Sequence, residues 1–207
     1  NKLIPMKEQI KIDNNLDKKF IDWVPSLDII PNKEQLTILE LGCGYGTQFL
    51  CNNFKKVYSF ESSKDDKWFK QTQELLKFWT NWEGVFYSYH ELGLDKNIEE
   101  IKKSNGGKRK EELLFIKGGF YEKLNHFVDL EKIDIVFVDQ STKTRGETVN
   151  YFMEKNINII FYHDSNVGHK IYGWDLIKDF KNYSKWVYNQ GLGTTFYYNN
   201  SIYNFNQ

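Results

Sequence analysis

Apolar runs in this sequence repeatedly end in groups able to move protons, grip hydroxyls or hold cations. The groups are Glu40, Glu61, Asp139 and the adjacent pair His163-Asp164. A carboxylate accepts two neighbouring hydroxyls in a bidentate hydrogen bond. It also takes a proton from a hydroxyl nucleophile, as a histidine does. Two carboxylates side by side bind a divalent cation through oxygen. Arg145 follows Asp139 closely and is one of only two arginines, the other being Arg109. Its planar guanidinium can fork onto a substrate carboxylate or fix Asp139.

Such groups work together only if strands bring their ends to one edge, and the sequence supplies the strands. The run Thr37-Ile-Leu-Glu40-Leu41 enters Gly42-Cys43-Gly44-Tyr45-Gly46-Thr47, and Gln48–Phe54 then carries apolar residues at helical spacing. Glycines at a strand–helix junction permit positive φ and close approach of a ligand to the backbone. The helix behind them offers unpaired N–H groups and a positive dipole end. This predicts a cradle for a nucleoside-bearing ligand. A second run, Lys56–Phe60, ends in Glu61, placed to accept ribose hydroxyls.

The segment Glu40-Leu-Gly-Cys-Gly-Tyr-Gly46 resembles the first motif of class I S-adenosylmethionine-dependent methyltransferases, E/D-x-G-x-G-x-G. Its strictly alternating glycines depart from the dinucleotide pattern G-x-G-x-x-G. The resemblance covers residues 37–198. It implies an α/β fold: a Rossmann-like, mostly parallel seven-stranded sheet with helices on both faces and a C-terminal antiparallel hairpin. It implies S-adenosylmethionine held by Glu40, Gly42, Cys43, Gly44, Tyr45, Gly46, Thr47, Glu61, Ser62, Tyr89, His90, Asp139 and Gln140, with Tyr89 and His90 placed to stack on or bond the adenine. The rest of the chain matches. Val85–Glu91 reads as a third strand, with Leu113–Ile116 a rival for that place. Ile133–Asp139 and Ile157–Asp164 read as buried strands, Lys185–Tyr188 and Thr194–Tyr198 as a hairpin around Gly191 and Gly193. Helices are expected from Ser62-Ser63-Lys64-Asp65 through Trp79, over Glu147–Met153, and from Tyr172 to Tyr183. Residues 1–35 form a leading extension, with an amphipathic helix over Leu16–Val24 interrupted by Pro25. The whole reads as one methyltransferase domain.

Methyl transfer to a hydroxyl requires loss of the acceptor proton. Asp139, His163 or Asp164 can take it directly, or Asp139 and Asp164 can hold Mg or Mn, which lowers the acceptor pKa. The strand-end acids are similar to those of metal-dependent catechol and sugar O-methyltransferases, although His163 stands where the sugar enzymes often carry a carboxylate. The set Val138-Asp139, Arg145, His163-Asp164 is similar to polysaccharide O-methyltransferases of the glucuronoxylan type. The catalytic assignments are therefore Asp139, His163, Asp164 and Arg145, and the expected acceptor is a sugar or glycan hydroxyl. His169 and Tyr172 fall where an acceptor loop would lie, and Trp174, Trp186 and Tyr188 are aromatics able to stack on sugar rings or to pack. His90 and His126 are less well placed for catalysis. Competing readings are a catechol-like small-molecule O-methyltransferase, a nicotinamide-binding oxidoreductase or epimerase, and a non-catalytic cofactor-binding module.

Composition narrows the acceptor. Lys+Arg and Asp+Glu number 28 each, so no electrostatic footprint for a nucleic-acid backbone exists. Gln140-Ser141-Thr142 is not the N/D-P-P-Y segment of base amino-methyltransferases, and no Pro-Cys pair serves cytosine C5 attack. The charged stretch 95–112 lacks interleaved aromatics and reads as a solvated excursion. No apolar run reaches bilayer length. Cys43 and Cys51 give no disulfide framework, which sets a reducing, intracellular (cytoplasmic) expectation. The chain opens at Asn1 rather than Met, as a piece excised from a longer polypeptide would, and a fused glycosyltransferase is one partner this leaves open.

Overall fold

The computed structural model describes residues 27–92, 119–140, 144–166, 172–188 and 192–205. Seven strands lie in it: β1 (Thr37–Leu41), β2 (Lys56–Ser63), β3 (Trp82–Ser88), β4 (Ile135–Val138), β5 (Ile159–His163), β6 (Tyr183–Tyr188) and β7 (Thr194–Asn199). Among the described residues the α-helices are α1 (Tyr45–Asn53), α2 (Lys67–Leu76), α3 (Tyr121–Phe127) and α4 (Arg145–Glu154). The strands form one sheet in the order β3-β2-β1-β4-β5-β7-β6. β1 to β5 are mutually parallel, and β7 is antiparallel to both β5 and β6.

β4 and β5 are buried at every position and β1 at all but its first, as expected of strands covered on both faces. Alternation then sorts the side chains. Leu39, Leu41, Phe60, Val136, Val138, Ile160 and Tyr162 pack with Leu124 of α3 and Val149, Phe152 and Met153 of α4. Ile38, Val57, Ile135, Phe137, Ile159, Phe161 and Phe196 pack on the other face with Leu50 and Cys51 of α1 and Leu76 of α2. Continued to the strand ends, the second pattern puts Glu40, Ser59, Glu61 and His163 on that second face. The order reverses at β1, whose neighbours are β2 and β4. That is the switch point of an open α/β sheet, where ligands bind outside the carboxyl ends.

Four elements differ from the sequence reading. β2 runs on to Ser63, so Ser62 and Ser63 are strand residues, and Asp66 precedes α2 instead. The β2–β3 pairing begins at Val57↔Trp82, which takes β3 from Trp82 to Ser88 and leaves Tyr89 and His90 in the turn after it. α2 stops at Leu76, and Phe78 beyond it is 85% exposed. No α-helix spans Tyr172–Tyr183. Gly173 takes φ 73, a single 3-10 turn covers Trp174–Leu176, and Tyr183 opens β6. Asn150 of α4 explains the change: its Nδ2 donates to Leu176 O and its Oδ1 accepts from Lys178 N, drawing the segment across α4 in extended form. The Leu16–Val24 helix, the Leu113–Ile116 run, the charged stretch 95–112 and His169 lie outside the described residues.

Candidate active site

The glycine turn is shaped by two buried carboxylates. Glu40 Oε2 accepts from Thr47 Oγ1 at 2.8 Å and from Ser59 Oγ at 2.9 Å, joining β1 to α1 and β2. Burial is the main cause that pushes its carboxyl up to about 8, while those two hydroxyls pull the other way. Glu61 Oε2 accepts from Cys43 N at 2.9 Å and its Oε1 from Ser62 N at 2.8 Å. Burial raises its pKa as well, against the pull of those amides. Each oxygen of an ionised carboxylate keeps a second lone pair, so Glu61 can anchor the turn and still receive hydroxyls.

Gly42 has φ +88, and a Cβ there would come 2.8 Å from the Asp139 carbonyl oxygen. The turn thus passes so close to the end of β4 that only glycine fits. Gly42→Ala is expected to cost roughly 1–3 kcal/mol of stability, read from urea denaturation; an unchanged midpoint would show that the backbone simply relaxes. Trp68 of α2 lies against Gly44 and donates from Nε1 to Cys43 O at 2.5 Å. It meets Tyr45 edge-on, with ring centroids 5.5 Å apart.

On the other side of β1, four groups converge. Arg145 Nη1 is 3.0 Å from Asp139 Oδ1 and 3.0 Å from Asp164 Oδ2. Its Nε donates to Gln140 O at 2.8 Å, its Nη1 and Nη2 reach His163 O and Asp139 O at 3.4 Å each, and its guanidinium lies 4.3 Å from the Tyr172 ring centroid. A cation in the first turn of a helix opposes the macrodipole. The two carboxylates therefore account for Arg145 there; helix preference does not. Asp164 holds φ 61, a left-handed backbone that aspartate tolerates better than most residues, and Trp174 Nε1 donates to its carbonyl at 3.3 Å. His163 Nδ1 sits 3.7 Å from Asp139 Oδ1 and 3.5 Å from Asp164 Oδ1, while its buried Nε2 has no hydrogen-bond partner among the described residues.

Both halves open into one crevice of about 520 Å³. Glu40, Gly42, Cys43, Gly44, Tyr45, Gly46, Glu61, Asp139, Arg145, His163 and Asp164 all line it. Ser63, Trp68, Phe137 and Leu192 line it too, and the sequence reading missed them. Thr47, Ser62 and Gln140 are buried behind the wall: Thr47 holds Glu40, Ser62 N holds Glu61, and Gln140 Nε2 donates to Thr148 Oγ1 at 3.0 Å. Tyr89 is half-buried against the core and His90 is exposed; neither lines the crevice. Trp174 is buried, and Trp186 packs against Phe196.

No family model and no curated protein sequence matches the chain. Solved structures do. An rRNA methylase from Streptococcus thermophilus superposes with TM-score 0.52 at 14% identity, covering 84% of this chain and 94% of its own. A Streptococcus mutans protein crystallised in complex with S-adenosylhomocysteine gives 0.53 at 11% identity, over 84% and 96% of the two chains. The fold is that of the class I methyltransferases. A methyltransferase from Geobacter sulfurreducens adds TM-score 0.50 at 12% identity, over 96% of this chain and 91% of its own. In this methyltransferase fold the glycine turn and Glu61 stand at the switch point, where the crevice is. No helix among the described residues is long and apolar enough to cross a membrane.

Proposed function

We propose that the chain is an S-adenosylmethionine-dependent O-methyltransferase acting on a hydroxyl of a sugar or glycan. One observation carries this reading: a single crevice joins the Gly42–Glu61 turn to the Asp139–Arg145–His163–Asp164 cluster. The cradle suits a nucleoside. Gly42 lets the turn run against the end of β4 where a Cβ would strike the Asp139 carbonyl, and Glu61 is a buried carboxylate fixed by two backbone amides. S-adenosylmethionine, when bound, supplies an electrophilic methyl group on sulfur.

The chain's residues do the rest. Glu61 accepts ribose hydroxyls on its remaining lone pairs. Asp139 takes the acceptor proton: its carboxyl is the most open of the cluster at 30% exposed, and its Oδ1 is held by Arg145. With the cofactor bound, Asp139 would accept the hydroxyl proton as the acceptor oxygen takes the methyl group and the sulfur keeps the bonding pair. Arg145 fixes the Asp139 rotamer, and Asp164 shares the guanidinium so that neither half-buried carboxylate stands alone.

A sugar acceptor fits an open, partly aromatic crevice and a chain whose 28 cationic and 28 anionic residues balance; the same balance disfavours RNA. A divalent cation is the other expectation for this cluster. Asp139, His163 and Asp164 offer ligand atoms within 4.8 Å of one another, but Arg145 already occupies the space between the two carboxylates. The residues as arranged do not fit an ion.

Glu61→Ala is expected to weaken S-adenosylhomocysteine binding by about 1–3 kcal/mol through loss of charged hydrogen bonds; calorimetry giving wild-type affinity would remove Glu61 from the ribose role. The reading as a whole is tested by incubating the chain with methyl-labelled cofactor and a panel of oligosaccharides and catechols, followed by mass spectrometry. Label on a sugar hydroxyl supports it. Label on catechols alone transfers the assignment to small phenolic acceptors.

A further inference from the structure

We infer that Arg145 is the resident cation of the Asp139–Asp164 pair, and that the site binds no divalent metal while the guanidinium is in place. The catalytic half of this inference rests on the proposed methyl transfer; the binding half does not.

Geometry makes the case. Nη1 stands 3.0 Å from an oxygen of each carboxylate, which is the bridging position an ion would need. Mg²⁺ requires oxygens at about 2.1 Å in near-octahedral array, so it cannot share that position with a guanidinium nitrogen. The guanidinium is not a loose occupant. Arg145 is 5% exposed, its Nε is spent on Gln140 O, Nη1 and Nη2 lean on the His163 and Asp139 carbonyls, and Tyr172 covers its plane. Displacing it would strand a group that does not deprotonate in proteins and leave three carbonyls without that donor. Binding beside it would set a dication against a fixed monocation in a half-buried crevice.

His163 points the same way. A histidine that ligates a metal through one ring nitrogen almost always donates from the other to an acceptor that fixes its orientation. Nδ1 is the nitrogen that faces the carboxylates, and Nε2 is buried with no such acceptor among the described residues. His163 is therefore built as a neighbour of Asp139 and Asp164, packed in the sheet, and lacks the support of a ligand. In methyl transfer the guanidinium then does the orienting an ion would otherwise do, on the base and not on the acceptor oxygen.

Removing the guanidinium exposes three ligand atoms already within 4.8 Å of one another, so Arg145→Ala should create a cation site. The full chain, stripped with chelator and dialysed, is titrated with Mn²⁺ while the spin-resonance signal of the free aqua ion is followed. Wild type is expected to leave the signal as Asp139→Asn does, and Arg145→Ala to take up one ion per chain at least tenfold more tightly. Saturable uptake by wild type that Asp139→Asn abolishes would overturn the inference. So would an Arg145→Ala protein that keeps the wild-type circular dichroism spectrum yet takes up no ion. Should that variant fail to fold, the wild-type titration decides alone. Turnover lost in chelator and restored by Mg²⁺ would overturn the catalytic half. Absence of turnover with every acceptor would instead refute the proposed function and leave the Mn²⁺ result standing.

Discussion

Asp139→Asn is expected to lower kcat by roughly 10²–10⁴-fold, the usual worth of a positioned general base, while the circular dichroism spectrum stays that of wild type. Asparagine keeps the shape and still offers an oxygen to Arg145, so the cluster should hold. What it loses is the ability to take a proton. The effect should fall on kcat and kcat/KM alike and leave S-adenosylhomocysteine affinity near wild type, because the groups proposed to hold the cofactor, Glu61 and the glycine turn, lie on the β1–β2 side of the crevice. Turnover by the variant at the wild-type rate would show that the acceptor proton leaves by another route.

Glu40→Gln should make the protein more stable at pH 9 than the wild type, by on the order of a few kcal/mol, and change little at pH 5. The sign follows from the direction of the shift. Burial lifts the Glu40 carboxyl from 4.5 to about 8. Between those values the unfolded chain has released its proton while the folded chain retains it, so raising the pH favours unfolding. Stability should therefore fall from about pH 4.5 to pH 8 and level off above. Glu61, also raised by burial, acts in the same sense. Glutamine mimics the protonated acid, since one carbonyl oxygen can still accept from Thr47 and Ser59. Urea titrations of both proteins at pH 5 and pH 9 read the difference. A wild-type stability that climbs over this range would mean that Glu40 is ionised in the folded chain and held by charge.

The sheet was legible because its strands are apolar on both sides and closed by polar groups: Glu40, Glu61, Asp139 and His163 mark four strand ends by type alone. Alternation also orders them onto one face, and Ser59 could have been found by the same count from Glu61. The helix expected over Tyr172–Tyr183 was a misreading of aromatic spacing. The contacts that decide that segment come from Asn150, distant in sequence, and no local pattern shows them. Trp68 was hidden for a related reason. On α2 it reads as one more apolar position, and only the approach to Gly44 puts it on the crevice wall. Arg145 was visible as a rare arginine near Asp139. That it bridges two carboxylates depends on the left-handed turn at Asp164, which one residue type cannot announce.

Calorimetry of the cofactor-free chain with S-adenosylhomocysteine and, separately, with NAD tests the central claim most directly. One molecule of S-adenosylhomocysteine bound per chain, with affinity reduced in Glu61→Ala and no heat from NAD, is the predicted result. Binding of NAD with none of S-adenosylhomocysteine would contradict it.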